Sequence, residues 1–267
     1  MDIFGGYTTI NGARLYYEIT GSGSPLVLIH GFSLDTRMWD DQFDAFAQHY
    51  RVIRYDMRGF GKSDLPTDES YSHADDLKAL MDSLGVTKAH MLGFSMGGGT
   101  ATEFAISYPE NTNSLIAVDA LASGYDWQSQ ELGKSFAAVL AKAKEENIQA
   151  AKEFWLTQPL FSTAHKKPQV AARLHDIISN YSGWHFVNSN YGRALDPPVT
   201  RQLEKITAPT QIIVGSHDLP ELHAVADLLS QGISGASKVI LPGVGHLSNM
   251  ESPVRFNKAV LAFLAGI

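Results

Sequence analysis

Cysteine is absent from this 267-residue chain, so no disulfide can form and no paired-cysteine metal site exists. No apolar run approaches the ~18 residues that a membrane-spanning helix needs. The opening Met1-Asp2-Ile3-Phe4-Gly5-Gly6 lacks a basic start followed by a long apolar stretch, so the sequence reads as a soluble, unsecreted, cytoplasmic protein. Basic residues are in the minority, 21 against 28 acidic ones. The formal charge of −7 disfavours nucleic acid or an anionic membrane as a partner. No H-E-x-x-H occurs, and no G-x-G-x-x-G follows a strand-like run. Gly61-Lys62-Ser63 ends like a phosphate-binding loop, but the first glycine of that motif would fall on Asp56, and the pattern fails. No cofactor and no metal are implied. Repeats and low-complexity tracts are missing too.

What is present is an alternation of short apolar runs with helix-like segments, the pattern of a mostly parallel sheet with crossover helices. Leu26-Val27-Leu28-Ile29, Arg51 to Tyr55, Ala89 to Leu92, Ser114 to Val118, Gln211 to Val214 and Val239 to Leu241 read as strands, and Arg14 to Ile19 as an antiparallel edge strand. Helices are expected at about residues 36–49, 72–84, 96–108, 220–230 and 252–265. From Ser123 to Thr200 the alternation stops. Helix-like segments follow one another there, at Ser135 to Glu146, Ile148 to Thr157, Gln169 to Asn180 and Ser182 to Tyr191. The expected organisation is an α/β core of residues 1–122 and 201–267 with a helical cap inserted at 123–200.

Chemistry enters at Gly93-Phe94-Ser95-Met96-Gly97, which follows an apolar run and opens a stretch of small residues. In a chain with 23 glycines, G-x-S-x-G alone is weak. Its context makes it a sharp strand-to-helix turn, in which flanking glycines permit strain and the helix N-terminus offers N–H groups to an anion. A serine hydroxyl needs a base, an orienting acid and oxyanion donors. The strand at 26–29 ends in His30-Gly31-Phe32, whose bend can aim the Phe32 N–H at the serine beside the Met96 N–H. Gln211 to Val214 leads to Gly215-Ser216-His217-Asp218, and Val239 to Leu241 leads to Pro242-Gly243-Val244-Gly245-His246. Ser95, Asp218 and His246 therefore close three strands and can meet in one crevice. Asp119, after the next strand, is a second position for the acid, with Asp218 preferred. Asp56 and Arg58 are expected to brace a turn through charge-assisted bonds, and His30 to support the Phe32 loop. His217 is set aside as the base because the Pro-Gly-x-Gly-His segment supplies one. His185 and His223 are assigned to the cap or surface.

Taken together, His30-Gly31, the loop Asp56 to Ser63, the serine turn, Val214-Gly215-Ser216-His217-Asp218 and Pro242 to His246 resemble the α/β-hydrolase family over nearly the whole chain. The resemblance implies an α/β-hydrolase fold, a mostly parallel twisted sheet flanked by helices with an inserted helical cap. It also implies Ser95 as nucleophile, His246 as base and then acid, and Asp218 as its orienting partner. A serine argues against haloalkane dehalogenases and epoxide hydrolases of this family, which use aspartate. Gly93 to Gly99 resembles the serine turn of cofactor-free haloperoxidases and related esterases, though the cap here is longer and more helical. His246-Leu247-Ser248 lacks the Trp often found in hydrolases of aromatic ring-cleavage products. The expected activity is hydrolysis of a carboxylic ester with a small to medium, largely apolar acyl or alkyl group. Lactone or diketone cleavage stands as the alternative, and a small-molecule receptor that retains the triad as a reading of another class. The expected partner is the small-molecule ester or lactone, and a homo-oligomer is compatible with the sequence. Trp127, Trp155 and Trp184, three of the four tryptophans, are candidates for the substrate pocket.

Overall fold

The computed structural model describes residues 2–188 and 192–267. Its centre is an eight-stranded sheet in the order β1-β2-β4-β3-β5-β6-β7-β8. The strands are β1 (Phe4–Ile10), β2 (Ala13–Thr20), β3 (Pro25–Ile29), β4 (Arg51–Tyr55), β5 (Ala89–Phe94), β6 (Thr112–Val118), β7 (Thr210–Gly215) and β8 (Ser237–Leu241). β1 pairs antiparallel with β2, and β2 antiparallel with β4. Every pairing from β4 to β8 is parallel. β3, β5, β6 and β7 are buried along nearly their whole length, which is why they read as continuous apolar runs rather than as alternating ones.

One expectation is corrected at the sheet's first edge. The strand read at Arg14 to Ile19 lies inside the sheet, because β1 covers it and forms the edge. β1 is exposed over most of its length and interrupted by Gly5-Gly6, so although Phe4, Tyr7, Thr8, Thr9 and Ile10 favour strands it forms no apolar run.

The helices are α1 (Asp40–Ala47), α2 (His73–Ser83), α3 (Met96–Ser107), α4 (Glu131–Glu145), α5 (Ile148–Leu156), α6 (Pro168–Asn180), α7 (Trp184–Val187), α8 (Pro220–Gly232), α9 (Ser248–Glu251) and α10 (Pro253–Leu264). Local chemistry sets several starts: the Ser72 side chain caps α2, Asn147 caps α5, and proline stands in the first turn of α6, α8 and α10. α4 to α7 follow one another between β6 and β7. The helix expected from Ser182 to Tyr191 is a single turn, α7. Its last expected residues, 189–191, lie outside the described residues. A left-handed Gly183 (φ +74°) delays its start.

Candidate active site

α3 begins directly at the end of β5, and the residue between them is Ser95. With φ +54° and ψ −115° it occupies a region that L-residues rarely adopt, held there by its N–H to Val118 O at 2.8 Å. The turn closes because of what its neighbours lack. A Cβ on Gly97 would lie 2.3 Å from Ile29 O, and one on Gly31 would lie 2.7 Å from the Phe94 ring and 3.3 Å from Ser95 Cβ. The end of β3 therefore passes against the serine, bringing Phe32 into the cavity that Met96 and Ser95 also line.

Asp218 and His246 arrive from the ends of β7 and β8. His246 Nδ1 lies 2.9 Å from Asp218 Oδ2, and Nε2 lies 3.1 Å from Ser95 Oγ. Asp218 Oδ1 also accepts the Leu219 N–H at 2.8 Å. All three side chains are buried. The geometry is a chain of hydroxyl, imidazole and carboxylate in which Nδ1–H donates to the acid and Nε2 is left to accept from the serine. His217 is exposed and plays no part in it.

The surrounding charges are structural. His30 accepts the Met57 N–H at Nε2 (2.9 Å) and meets Gly31 O at Nδ1 (2.8 Å). Complete burial pushes it down to about 4, so it is neutral and fixes the loop before Phe32. Asp56 accepts from the Thr36 and Lys62 N–H groups, both at 2.8 Å, and burial pushes it up to about 6. Arg58 grips Asp76 through Nε at 2.8 Å and Nη2 at 2.9 Å, an ion pair buried on both sides.

Sequence reasoning overlooked three supports. Glu251 accepts from the Gly245 N–H at 3.1 Å and the Thr163 hydroxyl at 2.8 Å, bracing the segment that carries His246. The Trp155 Nε1–H donates to Ser33 Oγ at 2.8 Å and so ties α5 to the residue after Phe32. Asp119, weighed only as an alternative acid, accepts from Gly215 N–H at 2.8 Å and meets Ser248 Oγ at 2.6 Å, behind Asp218. Among the described residues, Asp119, Asp218 and His246 are also the group whose ligand atoms come close enough to suggest a cation, within 4.8 Å of one another. Both imidazole nitrogens and the facing Asp218 oxygen are engaged in the hydroxyl–imidazole–carboxylate chain, so the donor set does not fit a metal.

Above Ser95 opens a cavity of about 250 Å³. Its walls are Phe32, Trp127, Phe136, Trp155, Leu160 and Phe161, with smaller contributions from neighbours, and no lysine, arginine, aspartate or glutamate lines it. Phe32 is at its hub, in edge contact with Phe136 at 5.2 Å and Trp155 at 6.0 Å. Trp127 and Trp155 are thus where the pocket was expected, and Trp184 is not. A single helical turn points successive residues about 100° apart. In α7 the inward places go to His185 and Phe186, leaving Trp184 half-buried with its edge on His185 at 4.9 Å. His185 itself is buried against Phe60, not at the surface.

Comparison with known proteins places these features among others. A family model described as the alpha/beta hydrolase fold matches residues 24–253. A 2-hydroxy-6-oxononadienedioate/2-hydroxy-6-oxononatrienedioate hydrolase of Paraburkholderia phymatum is 29% identical, over 94% of this chain and 91% of that protein. Among solved structures, the enol-lactonase from Burkholderia xenovorans LB400 is 26% identical with a TM-score of 0.81, covering 97% of this chain and 100% of that one. A thermophilic esterase from Thermogutta terrifontis is 28% identical with a TM-score of 0.82, covering 100% and 99%. No helix of the described residues is long and apolar enough to cross a membrane.

Proposed function

The chain belongs to the alpha/beta hydrolase fold family, and on that premise we propose that this hydrolase cleaves carboxylic esters with a small to medium, largely apolar acyl group. The observation that carries the reading is the unbroken hydrogen-bond chain from Ser95 through His246 to Asp218, opening into a cavity without charged walls. In this mechanism Ser95 Oγ attacks the ester carbonyl while His246 Nε2 takes its proton. The developing oxyanion is held by the Phe32 and Met96 N–H groups at the positive end of α3. The imidazolium, stabilised by Asp218, then protonates the departing alkoxide, leaving an acyl-enzyme on Ser95. Water that gives its proton to His246 attacks that ester, and the acid departs as Ser95 regains its hydrogen.

The segment of α4 to α7 acts as the cap over this site. It supplies Phe136, Trp155 and Phe161, and the stretch leading into α4 supplies Trp127, so together they set what the acyl group can be. A volume of about 250 Å³ lies just below the roughly 300–1,000 Å³ of pockets for drug-sized ligands, which favours a short or medium chain. An uncharged lining gives a carboxylate on the substrate no partner, and burying it unpaired is costly. That weighs against a dioate substrate such as the Paraburkholderia relative's name records. A neutral lactone remains the second reading, favoured by the likeness to the enol-lactonase.

The test is a panel of p-nitrophenyl esters from acetyl to dodecanoyl, run beside Ser95→Ala. Turnover that peaks at short or medium chains and falls by a factor of thousands or more in the variant supports the reading. Undiminished turnover in the variant removes Ser95 from the chemistry, and turnover of neutral lactones alone selects the second reading.

A further inference from the structure

Behind the triad acid stands a second buried carboxyl that the mechanism above does not use. Asp119 closes β6 in a left-handed conformation (φ +45°), and its N–H donates to Ile213 O at 2.8 Å. Its Oδ1 accepts from Gly215, the last residue of β7, and its Oδ2 meets the hydroxyl of Ser248, two residues beyond His246. One side chain, 1% exposed, thus joins the strand end that carries the acid to the segment that carries the base.

The groups facing it decide its charge. From the β7 side the titratable neighbour is Asp218, and from the β8 side it is His246, with one ligand atom of each of the three within 4.8 Å of the others. Among the described residues no lysine or arginine pairs with Asp119, whose side-chain partners are Gly215 N–H, Ser248 and Asp218. Two buried carboxyls this close without a cation between them do not both ionise. Asp218 holds the stronger claim to the charge, because it receives the His246 Nδ1–H as well as the Leu219 N–H.

We propose that Asp119 is a positioning residue that remains a neutral carboxylic acid at neutral pH, its Oδ2–H directed at Ser248 Oγ while Oδ1 accepts from Gly215, so that it ties the two segments together. Burial and the Asp218 charge both push it well above the usual carboxylate range, in the same direction. Neutrality has a consequence for the base. A second anion this close to the imidazole would favour its protonated form, which cannot accept the Ser95 proton. With Asp119 neutral, a single negative charge faces the imidazole, enough to stabilise the imidazolium without trapping it.

This kinetic role rests on the proposed hydrolase mechanism, so the test has an arm independent of activity. In the infrared spectrum of the protein at pH 8, a buried carboxylic-acid C=O band is expected, and Asp119→Asn removes it. Ser248→Ala takes away only the hydroxyl on Oδ2 and is expected to shift the same band, which serves if Asp119→Asn does not fold. In the kinetic arm, asparagine imitates the neutral acid, so the acid limb of the kcat/KM profile stays in place in Asp119→Asn. In Asp119→Ala, where the tie between the loops is lost, kcat falls tenfold or more while asparagine restores most of it. Absence of the band in the wild type, or an acid limb that moves to lower pH in Asp119→Asn, means that Asp119 is ionised and overturns the proposal.

Discussion

Trp155 is the residue through which stability and specificity are most tightly joined. It is 3% exposed, meets Phe161 at 5.3 Å and Phe32 at 6.0 Å, and donates its indole N–H to Ser33. Trp155→Ala removes this contact between α5 and the Phe32 loop and opens space on the cavity wall. Large-to-small core changes at tryptophan cost about 3–5 kcal/mol. At roughly 2–4 °C per kcal/mol for a chain of this size, a cost of about 4 kcal/mol lowers Tm by ~8–16 °C. Trp155→Phe keeps most of the ring but leaves the buried Ser33 hydroxyl without its donor, at about 1–3 kcal/mol. Ser33 already sits at φ +60°, and the preceding N–H belongs to the proposed oxyanion hole. The phenylalanine variant is therefore expected to lose kcat more than it loses Tm. Calorimetry with the ester chain-length panel separates the effects. The alanine variant should melt lower and move its optimum to longer acyl chains. An alanine variant that melts within about 3 °C of the wild type and keeps its optimum would refute the assignment of Trp155 to both cap contact and pocket wall.

The buried Arg58–Asp76 pair should cost about 3–5 kcal/mol when Arg58→Ala leaves the Asp76 charge alone, whereas Arg58→Met combined with Asp76→Leu should cost much less, as read from urea midpoints. Stability should also fall in acid. His30 and His185, both pushed down to about 4 by burial, are neutral in the fold but charge readily near 6.5 when unfolded. Their stabilisation is complete above about pH 6.5 and is lost as pH falls toward 4, by roughly 3 kcal/mol each at most. Asp56, raised to about 6, opposes the trend, since the folded state takes up its proton first as pH falls. His30→Gln should flatten the loss between pH 7 and 4.5 in chemical denaturation, and an unchanged slope would remove His30 as its source.

β3, β5, β6 and β7 were legible in the sequence because each is buried on both faces and its apolar run needs no partner to be recognised, whereas the edge strand β8 is mostly exposed and showed only the short run Val239 to Leu241. The ends of those strands carried the candidate site, and a general rule for open sheets was enough to place Ser95, Asp218 and His246 together. β1 was not legible, since Gly5-Gly6 breaks its run of strand-favouring residues and its mostly exposed face gives no apolar pattern until it pairs with β2. Nor was the pairing of Asp119 with Ser248, 129 positions apart, which depends on three strand ends converging at one depth. α4, α5 and α6 were visible by period, but which aromatics face the cavity was not. One turn of α7 is enough to send Trp184 away while Trp127 and Trp155 point in.

The most direct measurement is covalent capture of the nucleophile with a fluorophosphonate that carries a short alkyl chain, followed by peptide mass spectrometry. The account predicts one adduct on Ser95, absent in Ser95→Ala and formed at least a hundredfold more slowly in His246→Ala, in line with the ~10²–10⁴-fold worth of a general base. Intact protein without adduct, or labelling that survives Ser95→Ala at the wild-type rate, would contradict it.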